Sequence, residues 1–355
     1  MNKKVLVAMS GGVDSTVCAY LSVASGNYTE GITMVLWSDS KPVTDSNDPT
    51  PDHNCLDAMA VAEQLNIKHR SIALGNAFKS CVIDNFITEY TVGSTPNPCV
   101  ECNKKIKFGK LMEISQELGF DYLATGHYAR IERSDDGEYF LKKAKDKSKD
   151  QSYFLWAIKK EYLSHILFPL GDYTKQQIRE FATQNGLKSA HRSDSQDICF
   201  IQDGDYSSFI KQYSDLTFQE GNFISLDGRI LGRHCGIINY TVGQRKGLGV
   251  SFGKPIFVHS KNAQNNTVTL CENNDLFSSS LTARSVNLLV NYIPDQKIRC
   301  DVKIRYRHEP TPATVEFLEN NRVKVEFDEP QRAITPGQSA VFYNGDILIG
   351  GGIIE

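Results

Sequence analysis

A short run of glycines and hydroxyl side chains near the start of the chain has the composition of a phosphate site. Ser10-Gly11-Gly12-Val13-Asp14-Ser15 follows an apolar run and precedes a helical pattern. Glycines let a backbone approach a ligand closely, and successive N–H groups at a helix N-terminus bind anions. The run has neither the lysine of a Walker A loop nor the spacing of the dinucleotide fingerprint. It predicts another kind of phosphate loop, in which Asp14 would help to hold Mg²⁺.

Two cysteines form a second motif with chemical potential. In Pro96-Asn97-Pro98-Cys99-Val100-Glu101-Cys102 the prolines predict a stiff turn rather than a helix interior, and three lysines follow by position 107. Nearby lysines lower the pKa of a thiol and favour the reactive thiolate. A C-x-x-C pair is also half of a zinc site, but the sequence contains no second pair. The motif favours reactive thiols.

The other seven cysteines lie outside this motif. Cys199 lies at the end of the polar run that begins at Ser193. The total of nine is odd and does not fit a disulfide framework. Six cysteines have no neighbours that suggest reactivity and are predicted to be buried thiols: Cys18, Cys55, Cys81, Cys235, Cys271 and Cys300.

The charge distribution bears on the kind of partner. A net charge of −3 argues at face value against a polyanion. However, residues 96–192 hold 17 basic and 13 acidic side chains, including a lysine-rich run at 142–149 that we expect to be a flexible loop. A predicted strand at 301–308 would place Lys303, Arg305 and Arg307 on one face. By themselves these features fit a nucleic-acid partner and a solvated surface equally well.

The elements that position these residues follow from hydrophobic periodicity. Strand and helix patterns alternate through the first 130 residues and predict an α/β parallel sheet: strands at 5–9, 31–37, 69–74 and 122–125, with helices at 16–25 and 55–65. Residues 38–53 are polar and proline-containing, and we expect a mobile surface loop there. Beyond residue 221 the patterns are β-like. We predict domains at 1–205, 206–280 and 281–355.

The chain has neither an apolar run of about 18 residues nor a signal-peptide pattern at its start, so a cytoplasmic protein that does not enter a membrane is expected.

Seven sequence strings together resemble the tRNA-specific 2-thiouridylase family of PP-loop ATP pyrophosphatases. They run in family order across nearly the whole chain: AMSGGVDS (8–15), TPNPCVECNKKIKF (95–108), ATGHYAR (124–130), KDQSYFL (149–155), SDSQDICFI (193–201), GRHCGIINYTVGQRKGLG (232–249) and RYRHEP (305–310). The resemblance implies a parallel-sheet PP-loop domain, a small central domain and a C-terminal antiparallel β-barrel.

The resemblance also implies an activity, the ATP-dependent 2-thiolation of the wobble uridine of tRNA. The C2 oxygen would be adenylated, and AMP and pyrophosphate would be released. By position, the residues that contact ATP would be Ala8, Met9, Ser10, Gly11, Gly12, Val13, Asp14, Ser15, Met34 and Gly126.

The same resemblance assigns the sulfur chemistry and the tRNA contacts. Cys199 would carry a persulfide and Cys102 would be the nucleophilic or resolving thiol, leaving a Cys102–Cys199 disulfide. Many family members have Asp at the position of Cys99, so a role for that carboxylate does not transfer to this chain. The target base would be lined by Asn97, Pro98 and Cys99, and tRNA would be contacted by His127, Lys149, Asp150, Gln151, Arg305, Tyr306 and Gln338. A protein sulfur donor, a reductant and a monomeric enzyme are also expected.

Three alternatives remain at this point. Cys99, Cys102 and Cys199 would together suit an iron–sulfur cluster, since such clusters use thiolate ligands. A PP-loop synthetase acting on a small molecule would explain the phosphate loop but not the cysteines. A non-catalytic RNA-binding or zinc-binding module would explain the basic segment but not the phosphate loop.

Overall fold

The structure is a computed structural model of the 355-residue chain. It describes residues 2–38, 41–47, 49–190, 198–201, 204–214, 218–250, 253–291 and 297–355. The predicted polar run at 193–197 lies outside the described residues.

A parallel sheet forms the centre of the first domain. The strands of this part of the chain are β1 (Lys4–Ala8), β2 (Tyr28–Val35), β3 (Trp37–Ser38), β4 (Lys41–Pro42), β5 (Lys68–Ala73), β6 (Tyr122–Thr125), β7 (Ala129–Arg133), β8 (Tyr139–Lys143) and β9 (Ile166–Leu167). Five of them pair in parallel in the order β5-β2-β1-β6-β9. Val5, Leu6 and Val7 are fully buried because helices cover both faces of β1.

Helices connect these strands and bring polar groups to the carboxyl end of the sheet. They are α1 (Val13–Ala24), α2 (His53–Gln64), α3 (Gly75–Phe78), α4 (Asp84–Thr91), α5 (Pro98–Glu101), α6 (Leu111–Glu117) and α7 (Lys175–Gln184). Two π-helical stretches, Lys79–Ile83 and Cys102–Lys110, continue α3 and α5. Within the described parts of the chain, no helix combines the length and apolarity needed to cross a bilayer.

A small β-rich unit follows the first domain. It contains α8 (Tyr206–Tyr213), β10 (Gly221–Ile224), β11 (Ile230–His234), β12 (Phe257–Asn262) and β13 (Thr267–Cys271). The strands pair in the order β11-β10-β13-β12. Phe223, Val258 and Val268 are fully buried and form its core.

The C-terminal strands close into an antiparallel barrel. They are β14 (Phe277–Leu288), β15 (Ile298–Lys303), β16 (Thr311–Leu318), β17 (Arg322–Arg332), β18 (Ser339–Asn344) and β19 (Ile347–Ile354). The order is β14-β17-β16-β15-β18-β19, and β19 pairs back onto β14 to close the ring. Gly345 and Asp346 form the tight connection between β18 and β19. The predicted α/β fold with a C-terminal barrel is confirmed, whereas the boundaries at 205 and 280 stay a prediction.

The lysine-rich run at 142–149 differs from the expected flexible loop. Its first residues belong to β8, and Lys142 pairs with Ile347 of the barrel strand β19. Leu141 just before the run and Ala144 within it are buried, so their side chains anchor the run. Lys145 then donates its N–H to the Gly171 carbonyl at 2.9 Å. The run is an ordered bridge between the first domain and the barrel.

Two further expectations about local structure need correction. The strand predicted at 301–308 ends at Lys303, and Arg305 to Arg307 lie in a turn, so the three basic side chains do not form one strand face. Within the predicted mobile loop 38–53, residues 41–47 are ordered, because Ser46 bridges to Ala73 and Asp45 accepts the Asn76 N–H at 2.8 Å. The alternation of apolar and polar residues in the sequence indicates neither the turn after Lys303 nor the ordered residues 41–47.

Candidate active site

The phosphate loop lies between β1 and α1, at the carboxyl end of the parallel sheet. Ser15 Oγ donates to the Gly12 carbonyl at 3.0 Å and accepts the Ser10 N–H at 3.1 Å, so the loop holds its own shape. Gly12 is the N-cap of α1 and has no side chain to cap the first turn. The N–H groups of that turn are therefore available to an anion.

The other predicted nucleotide residues lie at the same end of the sheet. Met34 is near the end of β2, next to β1. Gly126 follows β6 and packs directly on the first turn of α1, where a Cβ would lie 2.8 Å from the Asp14 carbonyl carbon. Only glycine allows this approach. The structure thus brings together the ten residues predicted to contact ATP, from Ala8 to Ser15 with Met34 and Gly126.

A lysine that sequence reasoning missed lies beside the phosphate loop. Lys175 is the first residue of α7, and its Nζ is 2.8 Å from both carboxylate oxygens of Asp14. The Tyr128 hydroxyl donates to Asp14 Oδ1 at 2.8 Å. A capping box of Thr174 and Gln177 fixes the start of α7 and is the only sequence signal for this lysine's position. The loop therefore has a cation nearby, which Asp14 holds in place.

The cysteine motif begins a helix and is not the predicted stiff turn. Pro98 occupies the first position of α5, where its missing N–H costs no hydrogen bond. Asn97 is the N-cap, and its Oδ1 accepts the Cys99 N–H at 3.2 Å. The helix continues through Cys102 into the π-helical stretch. The thiols of Cys99 and Cys102 are therefore fixed relative to Asn97 by helical geometry.

The three candidate thiols share one environment. Burial raises the Cys102 pKa most, and the neighbouring Cys199 and Cys99 thiols raise it further, so the three groups lie within electrostatic reach of one another. Lys107 lowers the pKa of all three, but burial outweighs it. Burial raises the pKa of Cys102 to about 12.

The expectation that lysines make these thiols acidic is therefore wrong for this conformation. Cys99 and Cys199 keep solvent access but are flanked by protein, so their pKa values are raised as well. All nine cysteines are described and free. Of the six predicted to be buried, Cys18, Cys55, Cys271 and Cys300 are buried, whereas Cys81 is half-buried and Cys235 is exposed.

His127 connects the thiol environment to the phosphate loop. It follows Gly126 in sequence, its Nε2 lies 3.4 Å from Lys107 Nζ, and its Nδ1 lies 2.7 Å from Thr125 Oγ1. Burial, and to a smaller extent Lys107, lowers the pKa of His127 well below its usual value. The neutral ring then accepts from Lys107 and donates from Nδ1 to Thr125. The ring is buried in the free protein, and its contact with tRNA stays a prediction.

The predicted contact segment 149–151 is mostly engaged within the protein. Asp150 is buried, and its Oδ1 accepts the N–H groups of Ala144 at 2.9 Å and Ser152 at 3.2 Å. Gln151 Oε1 accepts the Tyr128 N–H at 2.9 Å. Lys149 is half-buried. These bonds give Asp150 a structural role in the free protein, and Lys149 and Gln151 keep partial exposure. The contact of residues 149–151 with tRNA stays a prediction.

The three predicted contacts on the barrel lie in two places. Arg305 and Tyr306 belong to the turn after β15, where the Tyr306 ring lies 4.5 Å from that of Phe154 and Arg305 donates to the Arg332 carbonyl at 3.3 Å. The Phe154 carbonyl accepts from Asn103 at 3.1 Å, one residue after Cys102. Gln338 donates from Nε2 to the Thr95 carbonyl at 2.8 Å. Both places adjoin the cysteine helix.

The described residues contain no group of three or more His, Cys, Asp or Glu side chains arranged to hold a metal ion. The three thiols near Lys107 are therefore not arranged as a ready-made cluster site in this conformation.

Comparison with known proteins decides the family. Family models match the chain in three consecutive parts: the tRNA methyl transferase HUP domain over residues 3–203, the tRNA methyl transferase PRC-barrel domain over 207–272, and the aminomethyltransferase beta-barrel domain over 278–354. The tRNA-specific 2-thiouridylase MnmA of Clostridioides difficile (strain 630) is 46% identical over 356 residues, covering 100% of this chain and 99% of that protein. The chain belongs to the tRNA-specific 2-thiouridylase family.

Other members of the 2-thiouridylase family are equally similar. The tRNA-specific 2-thiouridylase MnmA of Treponema denticola (strain ATCC 35405 / DSM 14222 / CIP 103919 / JCM 8153 / KCTC 15104) is 45% identical over 361 residues, covering 99% of this chain and 98% of that protein. The family assignment made from the seven sequence strings is confirmed.

Similarity to solved structures is weaker. A 4-thiouridine synthetase–RNA complex with bound ATP has a TM-score of 0.35 and 17% identity, covering 59% of this chain and 50% of that chain. The NMN synthetase from Francisella tularensis has a TM-score of 0.33 and 16% identity, covering 55% of this chain and 66% of that chain. These values are too low to carry an argument about the site.

Proposed function

We propose that this chain catalyses the ATP-dependent 2-thiolation of the wobble uridine of tRNA. The observation that carries the proposal is the Gly126-His127 pair. Gly126 packs on the first turn after the phosphate loop, and His127 contacts the lysine that lowers the pKa of all three thiols. A nucleotide site and a thiol site are thereby joined across two adjacent residues. The names of the full-length relatives support the same reaction.

The first step activates the base. The C2 oxygen of uracil is a poor leaving group, so it would attack the α-phosphorus of ATP and later depart with AMP. The N–H groups of the first turn of α1 would hold the departing pyrophosphate. Lys175, held beside the loop by Asp14, would turn to the phosphates and neutralise charge. Asp14 also fits a hard cation, and Mg²⁺ supplies further charge neutralisation when it is bound with ATP.

The second step delivers sulfur. A persulfide on Cys199 would attack C2 and displace AMP, and Cys102 would then attack Cys199 Sγ to free the thiolated base. Alternatively, Cys102 would first attack Cys199 Sγ and release sulfide, which would attack C2 and displace AMP. Either route joins Cys102 and Cys199 in a disulfide and leaves sulfur in place of the C2 oxygen. A persulfide donor protein must load Cys199, and a reductant must restore both thiols. Because burial holds the pKa values of these thiols high, their deprotonation would follow tRNA binding, with Lys107 as the nearby cation.

The tRNA would lie over the cysteine helix and the adjoining turn of the barrel. Asn97, Pro98 and Cys99 would line the base, and Lys149, Gln151, Arg305, Tyr306 and Gln338 remain candidates for contact. His127 and Asp150 would act by positioning their neighbours. A monomeric, cytoplasmic enzyme remains part of the proposal.

The alternatives have less support. The described residues contain no three-ligand metal geometry that favours an iron–sulfur mechanism. A small-molecule synthetase would leave the three neighbouring thiols without a role. The family models that match carry the words methyl transferase in their names, but the phosphate loop and the thiols favour sulfur transfer.

Mass spectrometry of tRNA nucleosides after incubation with ATP, Mg²⁺ and a persulfide source tests the proposal. We expect 2-thiouridine from the wild type and none from Cys199→Ser or Cys102→Ser, both of which keep tRNA affinity. ATP consumption that does not depend on tRNA would favour the small-molecule synthetase. Iron-containing protein that is active only with its iron would favour the cluster.

A further inference from the structure

The segment before the cysteine helix, residues 93–97, is held by two other parts of the chain. We call it the clasp segment. Its Thr95 donates its N–H to the Pro336 carbonyl at 2.8 Å, and the Thr95 carbonyl accepts from Gln338 Nε2 at 2.8 Å. Both backbone groups of Thr95 are therefore bonded to the barrel.

The barrel approaches the clasp segment closely at Gly337. This residue has φ +90°, and a Cβ would lie 2.9 Å from the backbone N of Thr95 and 3.0 Å from Ser94 Cβ. A side chain at residue 337 would push the barrel and the clasp segment apart. The contact between barrel and clasp segment is therefore built into the backbone.

The small central unit holds the clasp segment from another direction. Lys261, on β12, donates from Nζ to the Ser94 carbonyl at 3.3 Å and to the Tyr240 carbonyl at 2.8 Å. Its ammonium lies 5.5 Å from the centre of the Tyr90 ring. Burial lowers the pKa of Lys261 to about 8, which shows that the charge is kept in an unfavourable environment. An apolar side chain would avoid this cost but would not bond Ser94.

The clasp segment ends on the residue that caps the cysteine helix. Asn97 accepts the Cys99 N–H, and Pro96 and Pro98 on either side restrict φ. A displacement of Ser94 or Thr95 would therefore displace Asn97 by a similar amount. The displaced cap would in turn shift Cys99 and Cys102.

We propose that Lys261 and Gln338 are positioning residues for sulfur transfer, which fix the cysteine helix through the clasp segment. The inference rests on the proposed thiolation, and its role for Gln338 differs from direct contact with tRNA. Neither residue needs to touch the base. The barrel and the central unit, which would hold tRNA, would thereby set the geometry of the reacting thiols.

Lys261→Met in the full-length protein tests the proposal, with Lys254→Met as the matched control. Lys254 is an exposed lysine of the same unit and pairs with Glu272. A misplacement of about 1 Å costs about 100-fold in rate, so we expect single-turnover sulfur transfer by Lys261→Met to fall about 10-fold to 100-fold. The KM values for ATP and tRNA should stay near those of the wild type. The control should behave as the wild type throughout.

Amide hydrogen exchange without tRNA provides the second readout. Exchange at Thr95 and Cys99 should be faster in Lys261→Met than in Lys254→Met, because opening of the clasp segment frees both N–H groups. Unchanged exchange together with unchanged sulfur transfer would overturn the proposal. A change in the KM for tRNA alone would also overturn it.

Gln338→Met covers the case in which Lys261→Met fails to fold. It removes one donor at a half-buried site and should show the same slower sulfur transfer and faster exchange at Thr95. If Gln338 acts only by touching tRNA, its variant will raise the KM for tRNA and leave exchange unchanged, which contradicts the inference. If the wild type makes no 2-thiouridine, the proposed function fails, while the exchange result still reports on the clasp segment.

Discussion

Replacement of Lys175 by methionine tests the charge arrangement at the phosphate loop. Lys175 Nζ lies 2.8 Å from both Asp14 carboxylate oxygens, and its side chain is largely buried. Methionine keeps most of the apolar volume of the stem and removes the charge. In the proposed reaction, the variant loses a cation that stabilises the phosphates as pyrophosphate departs.

The expected magnitudes for catalysis and for stability differ. Removal of one well-placed electrostatic donor costs about 2.7–4 kcal/mol of transition-state stabilisation, so AMP formation should slow about 100-fold to 1,000-fold. A hydrogen bond to a charged group contributes about 1.5–3 kcal/mol to stability. The Asp14 side chain is 33% exposed, so solvent screens the pair and the lower end applies. A loss of about 1.5 kcal/mol lowers Tm by roughly 2 °C, because the unfolding entropy is about 2.1 cal/mol/K per residue.

Rapid-quench measurement of tRNA-dependent AMP formation, together with thermal unfolding, checks both magnitudes. Lys188→Met is the matched control, because Lys188 is an exposed lysine just after α7. It should match the wild type in both assays. AMP formation by Lys175→Met within about threefold of the wild type, a change of only about 0.7 kcal/mol, would refute the reasoning.

Three further predictions follow from the thiols, from His127 and from the barrel turn. Burial raises the Cys102 pKa to about 12, so alkylation of Cys102 by iodoacetamide in the free protein should be slow at neutral pH. The alkylation rate should still increase with pH above the ordinary thiol pKa of about 8.5. A rate that reaches a plateau near the ordinary thiol pKa of about 8.5 would contradict this. His127→Asn should slow single-turnover thiolation at least about tenfold, because the His127 ring orients Lys107. Its tRNA affinity should stay within about twofold of the wild type, because the ring is buried. Weaker tRNA binding at an unchanged rate would indicate direct contact between His127 and tRNA. Arg305→Ala should weaken tRNA binding and reduce the slope of log K against log salt by about 0.7–0.9, which corresponds to the loss of one phosphate contact. The control Lys324→Ala should change neither the affinity nor the slope. Filter binding at several salt concentrations measures both.

Local patterns predicted most of the fold. The four predicted strands of the parallel sheet correspond to β1, β2, β5 and β6, with ends that differ by a few residues. Three of them contain a short apolar run bounded by polar residues, which is a local property of sequence, whereas β5 is apolar only at its last residues, Ile72 and Ala73. The predicted helix at 16–25 instead begins at Val13, because Gly12 can take the N-cap position without a side chain. The phosphate loop was predictable for the same reason, since its glycines and hydroxyls are contiguous.

The parts of the site that escaped prediction depend on distant contacts. Lys175 and Asp14 are 161 residues apart, and Lys261 and Ser94 are 167 apart. No spacing rule connects such pairs. The direction of the thiol pKa shifts also escaped, because the nearby lysines are visible in the sequence whereas the burial that outweighs them is not. The pairing of β8 with the barrel strand β19 also escaped, because the lysines of β8 are typical of a solvated loop.

A single-turnover reaction with isotopically labelled sulfur tests the central claim most directly. The protein is loaded with a heavy-sulfur persulfide, freed of excess donor, and mixed with unmodified tRNA, ATP and Mg²⁺. We predict 2-thiouridine that carries the heavy sulfur, one AMP per thiolated base, and a Cys102–Cys199 disulfide found by peptide mapping. A nucleoside without the label, or AMP formation with no thiolated base, would contradict the account.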